Sequence, residues 1–149
     1  MLLEMGLGIA GFFFTSLMFY LNHRFVGHGA LGKWPLLRYI KRLHLTHHRN
    51  DYNEKRNNHL LLPFWAKISF ILAFLLISLF SISFAVGYIC YAFYYEWLHH
   101  RMHNDDKTGR CSSHHYTHHR KSIKHNFSGT MPFIDKIFGT YYKKDLTTD

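Results

Sequence analysis

Four spaced histidine boxes, each set just outside an apolar stretch of roughly membrane-spanning length, constrain this chain more than any other feature. They are His23-x4-His28, His44-x2-His47-His48, His99-x3-His103 and His115-x2-His118-His119, and they take up ten of the fourteen histidines. On a helix, spacings of three and four put side chains on one face. His44, His47 and His48 are therefore expected to point at one spot, as are His115, His118 and His119, and also His99 with His103. Neutral imidazole is a strong ligand for iron, zinc and copper. Ten imidazoles exceed what one ion takes, since first-row metals usually hold about four to six ligands. The arithmetic points to two metal ions held close together beside a membrane. The first box fits least well, because five residues on a regular helix separate two side chains by roughly 140°. Gly27 is expected to mark a break or bulge that brings His23 and His28 together.

The segment Leu2–Leu21 is mostly apolar and long enough to cross about 30 Å of hydrocarbon. A signal peptide would open on positive charge and close on a small-residue cleavage site. This segment opens with Glu4 and runs into Tyr20, Leu21 and His23, so it reads as a retained membrane helix. Gly6, Gly8 and Gly11 would permit close helix packing or be ordinary glycines of a span. A second apolar block runs from Phe64 to Leu98. As one helix it would exceed about 50 Å, too long for a single crossing. Two legs, 64–80 and 83–98, with a turn near Ser81–Ser83, would fit a thin bilayer.

Parity favours that hairpin. A single crossing would put His99 and everything after it across the membrane from His23–His48. With a hairpin every box shares one face. Of the 18 Lys and Arg, eight lie between Arg24 and Arg56, nine lie from Arg101 onward, and Lys67 is the other. The positive-inside rule makes the shared face cytoplasmic. Lys67 can snorkel to the interface. The expected fold is all-α, with integral membrane helices and a cytoplasmic His-rich helical cap holding a dinuclear metal centre, in one domain over residues 1–149. Arg38–Asn50 reads as a basic helix lying on the membrane surface. Residues 49–58 and 104–113 read as polar loops, about 113–124 as a helix carrying the fourth box, and Met131–Tyr142 as a tail packed on the membrane surface. Cys90 and Cys111 form no metal motif, and Cys90 lies in an apolar run, which argues against a disulfide framework.

A lone histidine on a helix is more often packed or exposed than ligating, and a His-rich tract can be a loose metal buffer. Neither suits boxes that repeat a spacing tens of residues apart. His59, His100, His114 and His125 fall outside the spacings and are expected at the surface or behind the ligands. Glu96 shares a helix stripe with His99 and His103, which makes it a candidate partner for an imidazole N–H or, equally, an interfacial carboxylate. Asp135 is a similar, weaker candidate.

The order of the boxes resembles that of the fatty acid hydroxylase superfamily, which includes sterol desaturases and carotenoid hydroxylases. Tyr95-Glu96-Trp97-Leu98-His99 is similar to the family's lead into the third box, and His114-His115-Tyr116-Thr117-His118-His119 to its fourth. Asn126-Phe127-Ser128-Gly129 followed by Met131–Thr140 resembles its closing segment. The likeness covers about His23 to Tyr142. It implies that His23, His28, His44, His47, His48, His99, His103, His115, His118 and His119 are the metal ligands. It also implies two metal ions, iron or else zinc, with O2 as co-substrate in the oxidation of a lipid, fatty acyl or sterol-like. Family members usually carry two membrane helices before the first box, where this chain has one.

Hydroxylating an unactivated C–H bond needs a redox metal, because no side chain can supply that chemistry. Electrons are expected from a separate cytochrome- or ferredoxin-type protein, and the location from a bacterial inner membrane rather than the endoplasmic reticulum. The nearest rival reading is a carotenoid hydroxylase, whose third box is typically one residue longer. A metal-transporting or metal-binding membrane protein is the rival of another class. Transport would place ionisable residues inside the spans, which hold almost none. Nothing points to nucleic acid as a partner, and no motif for hydrolysis or phosphoryl transfer is present.

Overall fold

In a computed structural model, residues 1–50, 63–104 and 110–142 are described. His59 and most of the two expected loops lie outside them. The described residues form helices and turns, without a strand. The helices are α1 (Leu2–Leu21), which runs straight into a π-helical turn (Asn22–His28), α2 (Arg38–Asn50), α3 (Phe64–Ser78), α4 (Ile82–Asn104), α5 (Arg110–Arg120) and the short α6 (Pro132–Ile137). A single 3-10 turn, Leu31–Lys33, leads towards α2.

The apolar block breaks at Leu79–Ser81, between α3 and α4. The second leg is longer than 83–98, because α4 continues six residues past Leu98 to Asn104 and takes the third box with it. Likewise α5 starts at Arg110, inside the stretch read as loop, and stops at Arg120 rather than near Lys124. The α1–π segment Leu2–His28 is long and apolar enough to cross a membrane; α3 is apolar but shorter.

The main packing is α1 against α4. A Cβ on Gly87 would lie 1.9 Å from the Gly8 carbonyl oxygen, and one on Gly11 would lie 2.1 Å from the Phe84 carbonyl oxygen. The glycines therefore let the two backbones touch, as small residues do between membrane helices. Aromatic rings fill in around that contact, with Phe12 against Tyr91 at 5.0 Å and Phe19 against Tyr95 at 4.5 Å between centroids. α3 also packs on α4. Phe70 meets Phe19 and Tyr88, and Lys67 pairs with Glu96 at 3.0 Å. Lys67 thus has a carboxylate partner on the neighbouring leg.

At the end of α1 a small core of Tyr20, Phe127 and Ile134 joins the helix to the C-terminal segment. That segment does more than lie along a surface. α6 turns Ile134 and Asp135 inward, both buried, and its chain closes over the histidine boxes. A chain of donors, Arg24 to Tyr20 (2.7 Å), Tyr20 to Thr140 (3.0 Å) and Thr140 to Asp135 (2.7 Å), fastens it to the end of α1.

Candidate metal centre

The ten box histidines come together as two groups of five. His23, His28, His44, His48 and His118 form one, and His47, His99, His103, His115 and His119 form the other. In each group one ring nitrogen per residue lies within 4.8 Å of all the others.

This corrects the reading that each three-histidine box serves one spot. α2 sends His44 and His48 to the first group and His47 to the second; α5 sends His115 and His119 to the second and His118 to the first. Helix geometry explains the division. From residue i, the side chain at i+3 lies about 60° to one side and that at i+4 about 40° to the other. His47 and His48 are thus splayed by about 100°. A helix lying between two sites feeds both.

The first box is brought together by a bulge, as expected, though Gly27 plays a different part in it. His23 and His28 sit on a π turn, Asn22–His28, with ring centroids 5.1 Å apart. A π turn closes its hydrogen bonds at i→i+5, so residues five apart stack on one face. Gly27 is not a break in it. Its missing side chain makes room for His44, whose Cδ2 lies 2.8 Å from where a Cβ would be.

Within the first group, Nε2 of His28 is 2.7 Å from that of His44 and 3.0 Å from that of His118, which in turn is 3.2 Å from that of His48. His118 cannot donate in these contacts, because its Nδ1–H is given to the His125 carbonyl at 2.6 Å. The Nδ1–H of His23 goes to the Phe127 carbonyl at 2.5 Å. Its Nε2 is left as a bare, buried lone pair without a hydrogen-bond partner. Metal–nitrogen bonds of about 2.0–2.1 Å at right angles would space donor nitrogens roughly 3 Å apart. Converging lone pairs at that spacing, with tautomers fixed from behind, fit a metal ion. The second group is as closely spaced. Nε2 of His103 and His115 are 2.9 Å apart, and His47 lies 4.7–4.8 Å by ring centroid from His99, His103 and His119.

The electrostatics agree. Burial first, then repulsion from neighbouring imidazoles, pushes His48 down to about 3. His118 is also pushed down to about 3 by burial, although its hydrogen bond to His125 opposes the shift. His44, His47, His115 and His119 lie well below the ordinary value for the same two reasons. These six rings are neutral at physiological pH, the form that binds metal.

The bonds Asp135 makes go to residues behind the box histidines. Its Oδ1 accepts from the Phe127 amide at 2.8 Å and from Thr140 Oγ1, and its Oδ2 accepts from the Ser128 amide at 2.9 Å and from His114 Nε2 at 3.0 Å. Burial would raise its pKa, but the bonds from His114, Ser128 and Thr140 outweigh burial and hold it below the ordinary value. His114 is buried and stacked on Tyr141, which places it behind the boxes. Glu96 is paired with Lys67. His125 bonds to Ser122 through its ring and serves the first group through its carbonyl. The two carbonyls, of His125 and Phe127, were not legible as functional groups. The left-handed Asn126 between them (φ 59°) was the one local signal.

Fold and site together define a class: an all-helical protein with an apolar, membrane-length helix and two five-imidazole groups able to hold metal. The chain belongs to the fatty acid hydroxylase family, whose family model matches residues 8–140. That family consists of membrane-associated, typically metal-dependent enzymes of the oxygenase type, with hydroxylase or desaturase activity. Searches of curated proteins and of solved structures found no significant match.

Proposed function

We propose that the protein is a membrane-bound, O2-dependent lipid oxidoreductase built on two metal ions, one in each five-histidine group, with iron as the working metal. The observation that carries this reading is the division of ten imidazoles into two adjacent groups, the second of them mostly buried. Imidazoles without carboxylates leave the metal charge uncompensated, which suits a centre that also takes up anionic oxygen species. Two bound irons would supply the oxidising power needed to break an unactivated C–H bond with O2. The chain's own residues bind and orient. The carbonyls of Phe127 and His125 fix His23 and His118 in the Nδ1–H tautomer, and burial keeps bulk water from the second group.

The substrate class follows from access. α4 carries His99 and His103 directly off an apolar helix, and Tyr95 stacks on His99 at 5.3 Å and 15°. The outer faces of α1 and α3 are apolar, with Leu72, Leu75 and Leu76 more than half exposed. Such surfaces suit lipid rather than water. An acyl chain could travel along α4 towards the second group without leaving apolar surroundings. The same faces support three membrane crossings, and the Lys and Arg flanking them support a cytoplasmic side for the boxes. At 15 residues α3 spans only about 22 Å, so a thinned bilayer is part of the reading. An isolated electron-donor protein would complete the cycle.

Isotope labelling tests the function. Iron-loaded protein, given a reductant and membrane lipid, should place one oxygen atom from 18O2 in the product. A new double bond without label would assign desaturation. Label arriving from water alone would overturn the oxygenase reading in favour of hydrolysis.

A further inference from the structure

Between Asp135 and the first histidine group lies a peptide unit used at both ends. Its carbonyl, on Phe127, accepts the Nδ1–H of His23, and its amide, on Ser128, donates to Asp135 Oδ2 at 2.9 Å. An imidazole ligand ordinarily gives its second N–H to a carboxylate or a carbonyl. Here it gives that proton to a carbonyl whose own peptide is polarised by a carboxylate. Hydrogen bonds in such a chain strengthen one another.

We infer that Asp135 is a positioning residue for the His23-containing group, acting through the Phe127–Ser128 peptide on the donor strength of His23 Nε2. Four further observations support it. Asp135 is fully buried, and its two oxygens accept four bonds, so its direction is fixed. His114 donates to it from the far side. The Arg24–Tyr20–Thr140 chain ends on it, and Arg24 adjoins His23 in sequence, so the π turn and the loop are tied to the same carboxylate. The peptide two before it, His125–Asn126, repeats the arrangement without the charge: His125 accepts from His118, and the Asn126 amide donates to the Thr140 carbonyl at 2.8 Å. The negative charge is thus aimed along one of the two peptides, the one that ends on His23.

This inference rests on the two-metal reading, and the test separates their failures. Co(II) is titrated into the full-length, metal-free chain in detergent, and binding is followed by visible absorption and by metal analysis. Wild type should take up about two ions. A wild type that takes up none would remove the metal reading itself. Asp135→Asn should weaken one of the two binding steps by about 10–100-fold, the usual effect of losing such an outer partner, and leave the other step unchanged. In a His23→Ala background the same substitution should have no further effect on that step. Thr140→Val cuts the tie to Tyr20 and removes one donor to the carboxylate but keeps the charge and the Ser128 bond, so it should weaken that step clearly less than Asp135→Asn does. Equal losses in Thr140→Val and Asp135→Asn would mean that the carboxylate only holds the loop, which overturns the inference. Two wild-type steps in Asp135→Asn would also overturn it. If Asp135→Asn loses both steps, Asp135→Glu decides. A single altered step sustains the inference, and either two wild-type steps or the loss of both overturns it.

Discussion

His48 and His119 lie face to face, with ring centroids 4.0 Å apart and planes 14° from parallel. One belongs to the first histidine group and the other to the second. The pair is a contact between the two groups, and it comes from the splay of each three-histidine box around its helix. His48→Phe keeps a flat ring at that contact but removes a ligand nitrogen. It should lose the metal of the first group at little cost in melting temperature, whereas His48→Ala should lower both. Metal analysis and thermal melts of the two variants check this, and full metal content in His48→Phe would take His48 out of the ligand set.

The α1–α4 contact makes a second prediction. Gly87→Val drives side-chain atoms into the Gly8 carbonyl and must separate the two helices. It should destabilise the protein by about 1–3 kcal/mol, as overpacking does. Gly6, with open space where its Cβ would be, should accept alanine without loss. Thermal melts in detergent compare the two, and equal melting temperatures would contradict the packing.

Acidification should destabilise the metal-free protein. His48 and His118 sit near 3 in the folded chain against 6.5 for an ordinary histidine. Between those values the unfolded chain binds more protons than the folded one, so stability falls as the pH drops. Above about pH 7 both states are neutral and stability should be flat. Melts from pH 8 to pH 5 check the sign, and a melting temperature that rises on acidification would contradict neutral, buried imidazoles.

Topology is open to the same kind of test. With Cys90 and Cys111 replaced, a cysteine beside Met1 should react with an impermeant reagent from outside, and Ser113→Cys should react only after permeabilisation. Labelling of Ser113→Cys from outside would reverse the cytoplasmic placement of the boxes.

The apolar segments and the four boxes could be read from the sequence because each is local. Length defines a helix such as Leu2–Leu21, and spacing defines a box such as His99-x3-His103. What escaped was long-range. Helix spacing allows His47 and His48 to share a site or to divide, and only neighbours on both sides of α2 decide between these. The spacing of His23 and His28 called for a bulge, but not for its form as a full π turn with Gly27 making room for His44. The Asp135 network joins α1, α5 and α6 through backbone groups of residues 127 and 128, and a backbone carbonyl has no letter in the sequence. His114 carried a faint signal, an extra histidine immediately before a box, but its pairing with Asp135 depends on the fold of the tail.

The central claim, that neighbouring histidines on one helix serve different metal ions, has a direct measurement. Metal per chain is determined by elemental analysis after loading His47→Ala, His48→Ala and the double variant under conditions that fill wild type with two ions. Each single variant should keep about one ion, and the double variant should keep none. A double variant that still holds one ion would place His47 and His48 at the same metal and contradict the division into two groups.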